Sequence, residues 1–200
     1  MGNREALLAG AKRCLYERGY TRPTSRDIAA AAGVSMGAIS YHFGSRDALL
    51  NEALIQANVE WGAEVDAAIA AGAAPGESPA ERFERIWSRM LDSLAAHRGL
   101  WAANLEAFSQ TNQMPQVRAQ LTAALTQARV GLARVFHPTG LDADKEWKLG
   151  SIYQALLTGL ALQWLADPGH SLSGHDLAAA LRIMTAHVEP QDHTAASHRS

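Results

Sequence analysis

Apolar residues recur every three or four positions along most of this 200-residue chain, and no stretch shows the two-residue alternation of a half-buried strand. This periodicity is typical of amphipathic helices, and it constrains the fold more than any other feature of the sequence. Turn signals at Gly33 and at residues 138–140 and 167–169 separate the periodic segments. The pattern predicts an all-α protein of nine helices, the fourth of which carries a long apolar stripe formed by Leu49, Leu50, Ala53, Leu54, Ala57, Trp61, Val65 and Ile69.

Residues 149–166 are the one stretch long enough to raise the question of a membrane span. They carry no charge, but they contain Gln154 and Gln163 and are bounded by Lys148 and Asp167. A helix with two amides at the lower limit of spanning length is better explained by burial within protein. The N-terminus lacks the apolar core of a signal peptide, so the sequence predicts a cytoplasmic protein with no membrane partner.

The sequence offers little for catalysis or for metal binding. Cys14 is the single cysteine, which excludes an internal disulfide and a cysteine-based zinc site. The histidines show no metal-ligand spacing, and there is no phosphate-cradling glycine loop, nucleophile elbow or pair of catalytic carboxylates. We therefore predict no metal, no cofactor and no catalytic residue.

Charge is distributed unevenly between the two ends of the chain. Residues 1–50 contain seven Lys and Arg against four Asp and Glu, a balance of +3, so a whole-chain charge of −2 leaves −5 for the remainder. A basic end on an acidic body indicates that one end faces a polyanion. The small net charge argues against a protein that coats nucleic acid along its whole surface.

Residues 24–43 combine the features of a helix-turn-helix motif. Thr24 is a suitable N-cap for a short helix, and Gly33 can adopt the positive φ of a tight turn. Ser35 is then expected to cap a second short helix and to leave its N-terminal amides facing outward, where a phosphate can bind. The exposed face of this second helix is predicted to approach DNA with Met36, Gly37, Ala38, Ser40, Tyr41 and His42.

At these residues the sequence resembles the TetR family of bacterial transcriptional regulators. The similarity extends over residues 5–55 and depends most on the run AAGVSMGAISYHF at residues 31–43, with DIA at residues 27–29 and SRDAL at residues 45–49. Many residue types coincide at fixed spacing, which makes the resemblance specific. The number and order of the helices match the family over the rest of the chain, although no diagnostic motif occurs there.

The resemblance implies two domains and a tail. Residues 1–50 would form a three-helix DNA-binding domain, residues 51–189 a helical domain for effector binding and dimerisation, and residues 190–200 a disordered polar tail. The typical action of the family is repression that a small molecule relieves. The implied partners are a palindromic operator in double-stranded DNA, a small-molecule effector and a second copy of the chain.

The resemblance also assigns roles to particular residues. Thr24 and Ser35 match helix-capping positions near phosphates, and residues 36–42 match the recognition helix. Arg46 matches a basic residue at the start of the fourth helix and is expected to contact phosphate. Met36 stands where the family often has Lys or Arg, so one phosphate or base contact is expected to be missing.

A ligand cavity in the second domain is a further implication of the resemblance. All five tryptophans lie at or beyond residue 61, and apolar and aromatic walls with a few polar groups suit a small-molecule site. Aromatic residues at helical spacing can equally be ordinary core. The predicted pocket residues are Trp61, Trp87, Met90, Trp101, Asn104, Phe108 and Tyr153, with Asn104 or Tyr153 supplying an orienting hydrogen bond.

Residues 149–166 also bear on assembly, because a helix that is apolar almost all round must be covered on two sides. One side would be its own core and the other a second copy of the chain. Small residues four positions apart would let a partner helix approach, and the last helix carries a second apolar stripe. The predicted homodimer interface comprises Ser151, Ala155, Gly159, Leu177, Leu181 and Met184.

These features favour a dimeric repressor that leaves its operator when a small, largely apolar ligand binds. One alternative is a regulator of the same type that acts as an activator or responds to a protein partner without a small ligand. A less favoured alternative is a helical enzyme that modifies small molecules, for which the sequence offers no nucleophile or base. Salt-sensitive binding to a short palindrome separates both regulators from the enzyme, and release by a small molecule separates the two regulators.

Overall fold

The computed structural model describes residues 2–110 and 115–186, and in these two ranges the chain is all-α, as predicted. They contain nine α-helices and one 3₁₀ turn, Pro168–His170, and no strand. The predicted tail at residues 190–200 lies outside the described residues. The helices are α1 (Asn3–Arg18), α2 (Ser25–Ala32), α3 (Gly37–Phe43), α4 (Arg46–Ala71), α5 (Pro79–Asp92), α6 (Arg98–Gln110), α7 (Pro115–Phe136), α8 (Ala143–Ala166) and α9 (Gly174–Ala186).

Helices α1, α2 and α3 pack around one apolar centre with the start of α4. Where α1 crosses α2, a Cβ added to Gly10 would lie 2.9 Å from the Cβ of Ala32. A real Cβ does not come that close, so the crossing requires a glycine. The sequence analysis did not identify this requirement at Gly10.

Helix α4 joins the three N-terminal helices to the rest of the molecule. Its 26 residues begin after Ser45, whose side-chain oxygen accepts a hydrogen bond from the amide of Ala48. All eight residues of the predicted apolar stripe are buried, which confirms the helical period along the whole element. The helix passes residues 50 and 51 without a break, so the division into domains at that point remains a proposal.

The body consists of α5 to α9 packed against the second half of α4. Ser78 and Glu81 form a capping box at the N-terminus of α5, with Pro79 as the first helical residue. Helices α7 and α8 form an antiparallel pair in which Gly150 meets the backbone of Arg129 so closely that no side chain would fit. Helix α9 packs on α5, and the apolar core is continuous from the N-terminal helices into the body.

Within the described ranges, none of the helices has the length and apolar character needed to cross a membrane. Helix α8, which includes residues 149–166, buries one face that contains Tyr153, Leu157 and Leu160. It packs mainly on α7 and also contacts α6. The apolar segment is therefore a packed helix, as the sequence predicted.

The predicted dimer face is only partly present on the surface of the protomer. Ala155 is exposed, and nothing lies within 4 Å of a Cβ built on Gly159, so this side of α8 is open. Met184 is also exposed. Leu177 is 4% exposed and therefore belongs to the core of its own protomer, contrary to the prediction. Leu181 packs partly against that core and keeps some exposed surface, so its place in the interface remains a prediction. Ser151 is partly covered.

Candidate functional site

The turn between α2 and α3 has the geometry of a Schellman motif. Gly33 adopts the left-handed conformation, with φ 69° and ψ 29°. Its amide donates to the carbonyl of Ala30 at 3.2 Å, and the amide of Val34 donates to the carbonyl of Ala29 at 3.1 Å. These bonds satisfy the last carbonyls of α2 and turn the chain toward α3, so the predicted role of Gly33 is confirmed.

The N-terminus of α2 is held by a reciprocal cap. The side chain of Thr24 accepts from the amide of Asp27, and the Asp27 carboxylate accepts from the Thr24 amide at 2.8 Å and its hydroxyl at 2.6 Å. The side-chain hydrogen bond from Thr24, its backbone hydrogen bond and the ion pair with Arg18 together lower the pKa of Asp27 to about 2. Thr24 is thus an N-cap, as predicted.

Helix α3 presents one narrow face to solvent. Met36, Gly37 and Ser40 are exposed, and Tyr41 is 85% exposed with its ring edge-on to that of His42, 4.8 Å between centroids. These exposed positions are one helical turn apart, and they are the residues that can reach a DNA groove. Their contacts with DNA remain a prediction.

Three predictions about this helix need correction. Ser35 does not cap it by its side chain: Met36 already has helical φ and ψ, and the first turn closes through the Ser35 carbonyl and the Ala38 amide. Ala38 is turned inward and packs against the core. His42 is only partly exposed, because it lies on the flank between Tyr41 and the buried side of α3.

Arg46 is held by the protein itself. Its guanidinium donates to the Asp47 carboxylate at 2.8 Å and to the Pro23 carbonyl at 3.2 Å. A guanidinium engaged in this way is a poor phosphate ligand, so the role predicted for Arg46 fits the structure badly. Arg22 and Arg26 are exposed and, among the described residues, have no hydrogen-bond or ion-pair partner.

The body contains an open cavity of about 390 Å³ between α4, α6, α7 and α8, with Met90 of α5 in its wall. Five of the predicted pocket residues line it, and all of these belong to α4, α5 or α6: Trp61, Met90, Trp101, Asn104 and Phe108. Sequence reasoning missed the wall formed by α7, which contributes Leu121, Leu125, Ala128, Gly131, Leu132 and Val135.

The other two predicted pocket residues do not face this cavity. Trp87 is fully buried among Phe83 and Phe136, so it is a core residue. Tyr153 stacks on Phe136, with 4.2 Å between ring centroids, and its hydroxyl lies 2.9 Å from the Nε2 of His137. It opens instead onto a separate groove between α5, α8 and α9.

Polar groups in the main cavity are few and mostly paired. Asn58 of α4 and Asn104 of α6 exchange amide hydrogen bonds, each of 3.0 Å, across the wall. The Trp61 indole N–H donates to the Ser93 hydroxyl at 3.0 Å, and its ring stands edge-on to that of Trp101, 5.2 Å between centroids. Asn104 was predicted to orient a ligand, and in this structure its amide orients Asn58.

The cavity wall also contacts the three N-terminal helices. On α6, the Glu106 carboxylate accepts hydrogen bonds of 2.9 Å from the amides of Tyr20 and Thr21 and from the Thr21 hydroxyl. At the start of α6, Gly99 lies directly against the backbone of Tyr16. Helices α4 and α6 therefore line the cavity and also contact the N-terminal helices, α4 through α1 and α3 and α6 through α1 and residues 20 and 21.

Two family models match the chain. The model for bacterial regulatory proteins of the tetR family matches residues 7–53, and the model for a tetracyclin repressor-like C-terminal domain matches residues 78–188, more than half of the chain. The chain belongs to the TetR family. Members of the TetR family are transcriptional regulators that bind DNA and are not enzymes, so the enzyme hypothesis is wrong.

Individual relatives agree with this assignment. The HTH-type transcriptional repressor Rv1474c of Mycobacterium tuberculosis is 48% identical over 46 residues, which are 23% of this chain and 25% of that protein. The chain thus matches about a quarter of the length of this relative. A transcriptional regulator from Saccharomonospora viridis, solved with choline, is 26% identical with a TM-score of 0.61, over 92% of this chain and 95% of the other.

A second solved structure extends the likeness over the whole fold. The multidrug binding protein EbrR, solved with imidazole, is 22% identical with a TM-score of 0.65, over 97% of this chain and 98% of the other.

In the described ranges of our structure, no group of three or more His, Cys, Asp or Glu could hold a metal ion.

Proposed function

We propose that this TetR-family protein is a dimeric repressor of a palindromic operator and that a small, largely apolar ligand releases it. One observation carries the proposal: two of the helices that line the cavity, α4 and α6, also pack against the N-terminal helices, α4 against α1 and α3 and α6 against α1. A molecule that enters the cavity must contact both. Anything that changes their spacing also changes the position of α3 relative to the body.

The Asn58–Asn104 pair supplies a mechanism for release. It ties α4 to α6 at the cavity wall, and a ligand that wedges between these side chains favours a different spacing of the two helices. Release needs only differential affinity, because a ligand shifts the protein toward the conformation that it binds better. A coupling of about 1.4 kcal/mol is enough for a tenfold loss of operator affinity.

The open side of α8 supports the dimer. Ile152 and Leu162 are more than half exposed, and Ala155 and Gly159 lie beside them on the same helix. Large exposed apolar side chains around small ones suit an isologous helix interface with a second copy. In such a dimer two copies of α3 would read half-sites about 34–36 Å apart.

The relatives support the other two parts of the proposal. The name of the M. tuberculosis relative supports repression, and the choline and imidazole complexes of the solved relatives support a small ligand.

The decisive experiment fills the cavity. Nothing lies within 4 Å of a Cβ built on Gly62, which lines the cavity in the middle of α4, so Gly62→Leu adds bulk to empty space and replaces a poor helix former. The operator is first obtained by selection from random DNA, and ligands are found by quenching of tryptophan fluorescence. We expect Gly62→Leu to bind the operator as the natural protein does and to lose ligand binding at least tenfold.

The matched control is Ala63→Leu, which introduces the same leucine at the next residue, on the solvent side of α4. It should leave both operator binding and ligand release unchanged. Ligands that bind the cavity tightly yet never release DNA would contradict ligand-relieved repression. A wild-type monomer that persists at micromolar concentration in sedimentation would contradict the dimer.

A further inference from the structure

Asp66 stands out among the residues that line the main cavity. It is the one ionisable residue among the described side chains of the wall. The other polar groups there are amides of Asn and Gln, the hydroxyl of Thr158 and the indole N–H groups of Trp61 and Trp101. It lies on α4 one turn beyond Gly62, on the same face of the helix. The cavity therefore has one negative group, at the end of α4 remote from the helix-turn-helix motif.

No cation of the protein compensates this carboxylate. Within the described ranges Asp66 has neither an ion pair nor a side-chain hydrogen bond. On α7, Arg129 donates to the Gln154 side chain at 2.9 Å and stacks over Trp147, and at α5 Arg85 is paired with Glu77. Asp66 is exposed to solvent, and partial desolvation in the wall raises the pKa of its carboxyl.

The rest of the wall is suited to the apolar part of a cation. Trp61 and Trp101 both line the cavity and stand edge-on to each other, with an angle of 87° between their ring planes. The face of an indole attracts a positive charge, and the attraction is strongest where water is excluded. An uncompensated carboxylate at the rim and indole rings in the wall favour the same sign of ligand charge.

We infer that the effector is a cation: an ammonium or protonated nitrogen base with an apolar or aromatic body, whose positive charge pairs with Asp66. This inference rests on the proposed function, which requires an effector but leaves its charge open. An anion would meet the one carboxylate of the wall with no basic side chain to offset it. A neutral apolar ligand would leave that carboxylate partly desolvated and unpaired.

Two probes of the same shape separate the contribution of ligand charge to binding from the contribution of ligand shape. Benzyltrimethylammonium and neopentylbenzene differ in one atom, a quaternary nitrogen in place of a carbon. Binding is followed by tryptophan fluorescence and by calorimetry, with Gly62→Leu as the check that each probe occupies the cavity. We expect the natural protein to bind the cation about tenfold or more tightly than its neutral counterpart, an effect typical of an ion pair in a partly dry site.

Variants of Asp66 then test the residue itself. Asp66→Asn keeps the shape and removes the charge, so it should weaken binding of the cation about tenfold and change binding of neopentylbenzene less than about twofold. Asp66→Glu keeps the charge and should retain most of the selectivity. Glu64→Gln removes the same charge two residues away, at a side chain that pairs with His97 outside the cavity, and should change neither probe.

The outcomes distinguish this inference from the proposed function. Equal affinity for the two probes, an Asp66→Asn variant that still prefers the cation, or no binding of the cation at millimolar concentration would each overturn the cationic effector. Release of the operator by a neutral compound alone would do the same and leave the proposed function intact. Charge-selective binding without any effect on the operator would support the cation site and contradict ligand-relieved repression.

Discussion

The helix-turn-helix motif and the cavity of the body, which is the proposed ligand site, are built in opposite ways. In the motif the decisive contacts join residues a few positions apart, such as Thr24 with Asp27, and the turn depends on the left-handed conformation of Gly33. In the cavity they join residues far apart in sequence, such as Asn58 with Asn104. Short-range rules therefore specify the DNA-facing part, whereas the ligand-facing part exists only when the whole body has folded.

This difference has a functional consequence. Changes in the motif should alter DNA binding whether or not a ligand is present. Changes in the cavity should alter the response to ligand and leave DNA binding intact. Only residues that join the two regions should affect both, and Glu106 is the clearest of these. The following experiments, ordered from the largest expected effect to the smallest, test this separation.

The largest effect is expected from overpacking the contact between α1 and α2, the first helix of the motif. Gly10→Val places a branched side chain against Ala32, where even a Cβ does not fit, and should lower the free energy of unfolding by about 3 kcal/mol. The control is Gly131→Val, which points into open space beside the cavity on α7. Urea unfolding compares the two variants, and equal stabilities would show that the α1–α2 crossing is not tight.

Uncoupling the two regions should have the next largest effect. Glu106→Ala removes the acceptor for Tyr20 and Thr21, so ligand affinity should stay within about twofold while release falls about tenfold, or about 1.4 kcal/mol of coupling. Glu106→Gln keeps an acceptor oxygen, so its release by ligand should fall less than that of Glu106→Ala. Operator affinity is measured with and without saturating ligand, and full release by Glu106→Ala would place the coupling elsewhere.

A smaller effect is expected from the exposed cations of the motif. Arg26→Ala should remove one phosphate contact, weaken operator binding for all sequences alike, and reduce the slope of log affinity against log salt by about 0.9. Arg46→Ala should leave that slope nearly unchanged, because Asp47 and Pro23 already hold the guanidinium. The reverse result would restore Arg46 as the phosphate ligand.

The smallest effect concerns the cap of α2 and depends on pH. Folding lowers the pKa of Asp27 from 3.8 to about 2, so its stabilising contribution is complete above the unfolded value and is lost as pH falls toward 2. The Tm of Asp27→Asn should therefore be lower than that of the natural protein at pH 7. This difference in Tm should shrink between pH 4 and pH 2. A difference in Tm that is independent of pH would contradict the capping role of the carboxylate.

Short-range rules also explain which predictions succeeded. The helices, the Thr24 cap and the Gly33 turn depend on neighbours in sequence, and the structure confirms them. Ser35 failed as a cap because the chain enters α3 through a tight turn in which Met36 is already helical. Arg46 failed to stay free because its neighbour in sequence is acidic, a pairing that was visible in the sequence.

The cavity was less predictable for a physical reason. Helical periodicity identifies residues that face inward, but it does not say which part of the interior is filled. Trp61 and Trp87 both belong to inward stripes, yet Trp61 borders the cavity and Trp87 lies in solid core. The α7 wall and Asp66 were missed because their neighbours come from other helices, and only the fold brings those together.

The two glycines that border the cavity give the family a simple route for divergence. Gly62 and Gly131 lie in helices, and nothing lies within 4 Å of a Cβ built on either of them. Substitution there improves helix propensity, by up to about 1 kcal/mol for alanine. Mutations that resize the pocket can therefore accumulate one at a time without first weakening the protein. Descendants of this sequence could adapt to smaller inducers while retaining their operator, so the signal could evolve faster than the gene that it controls.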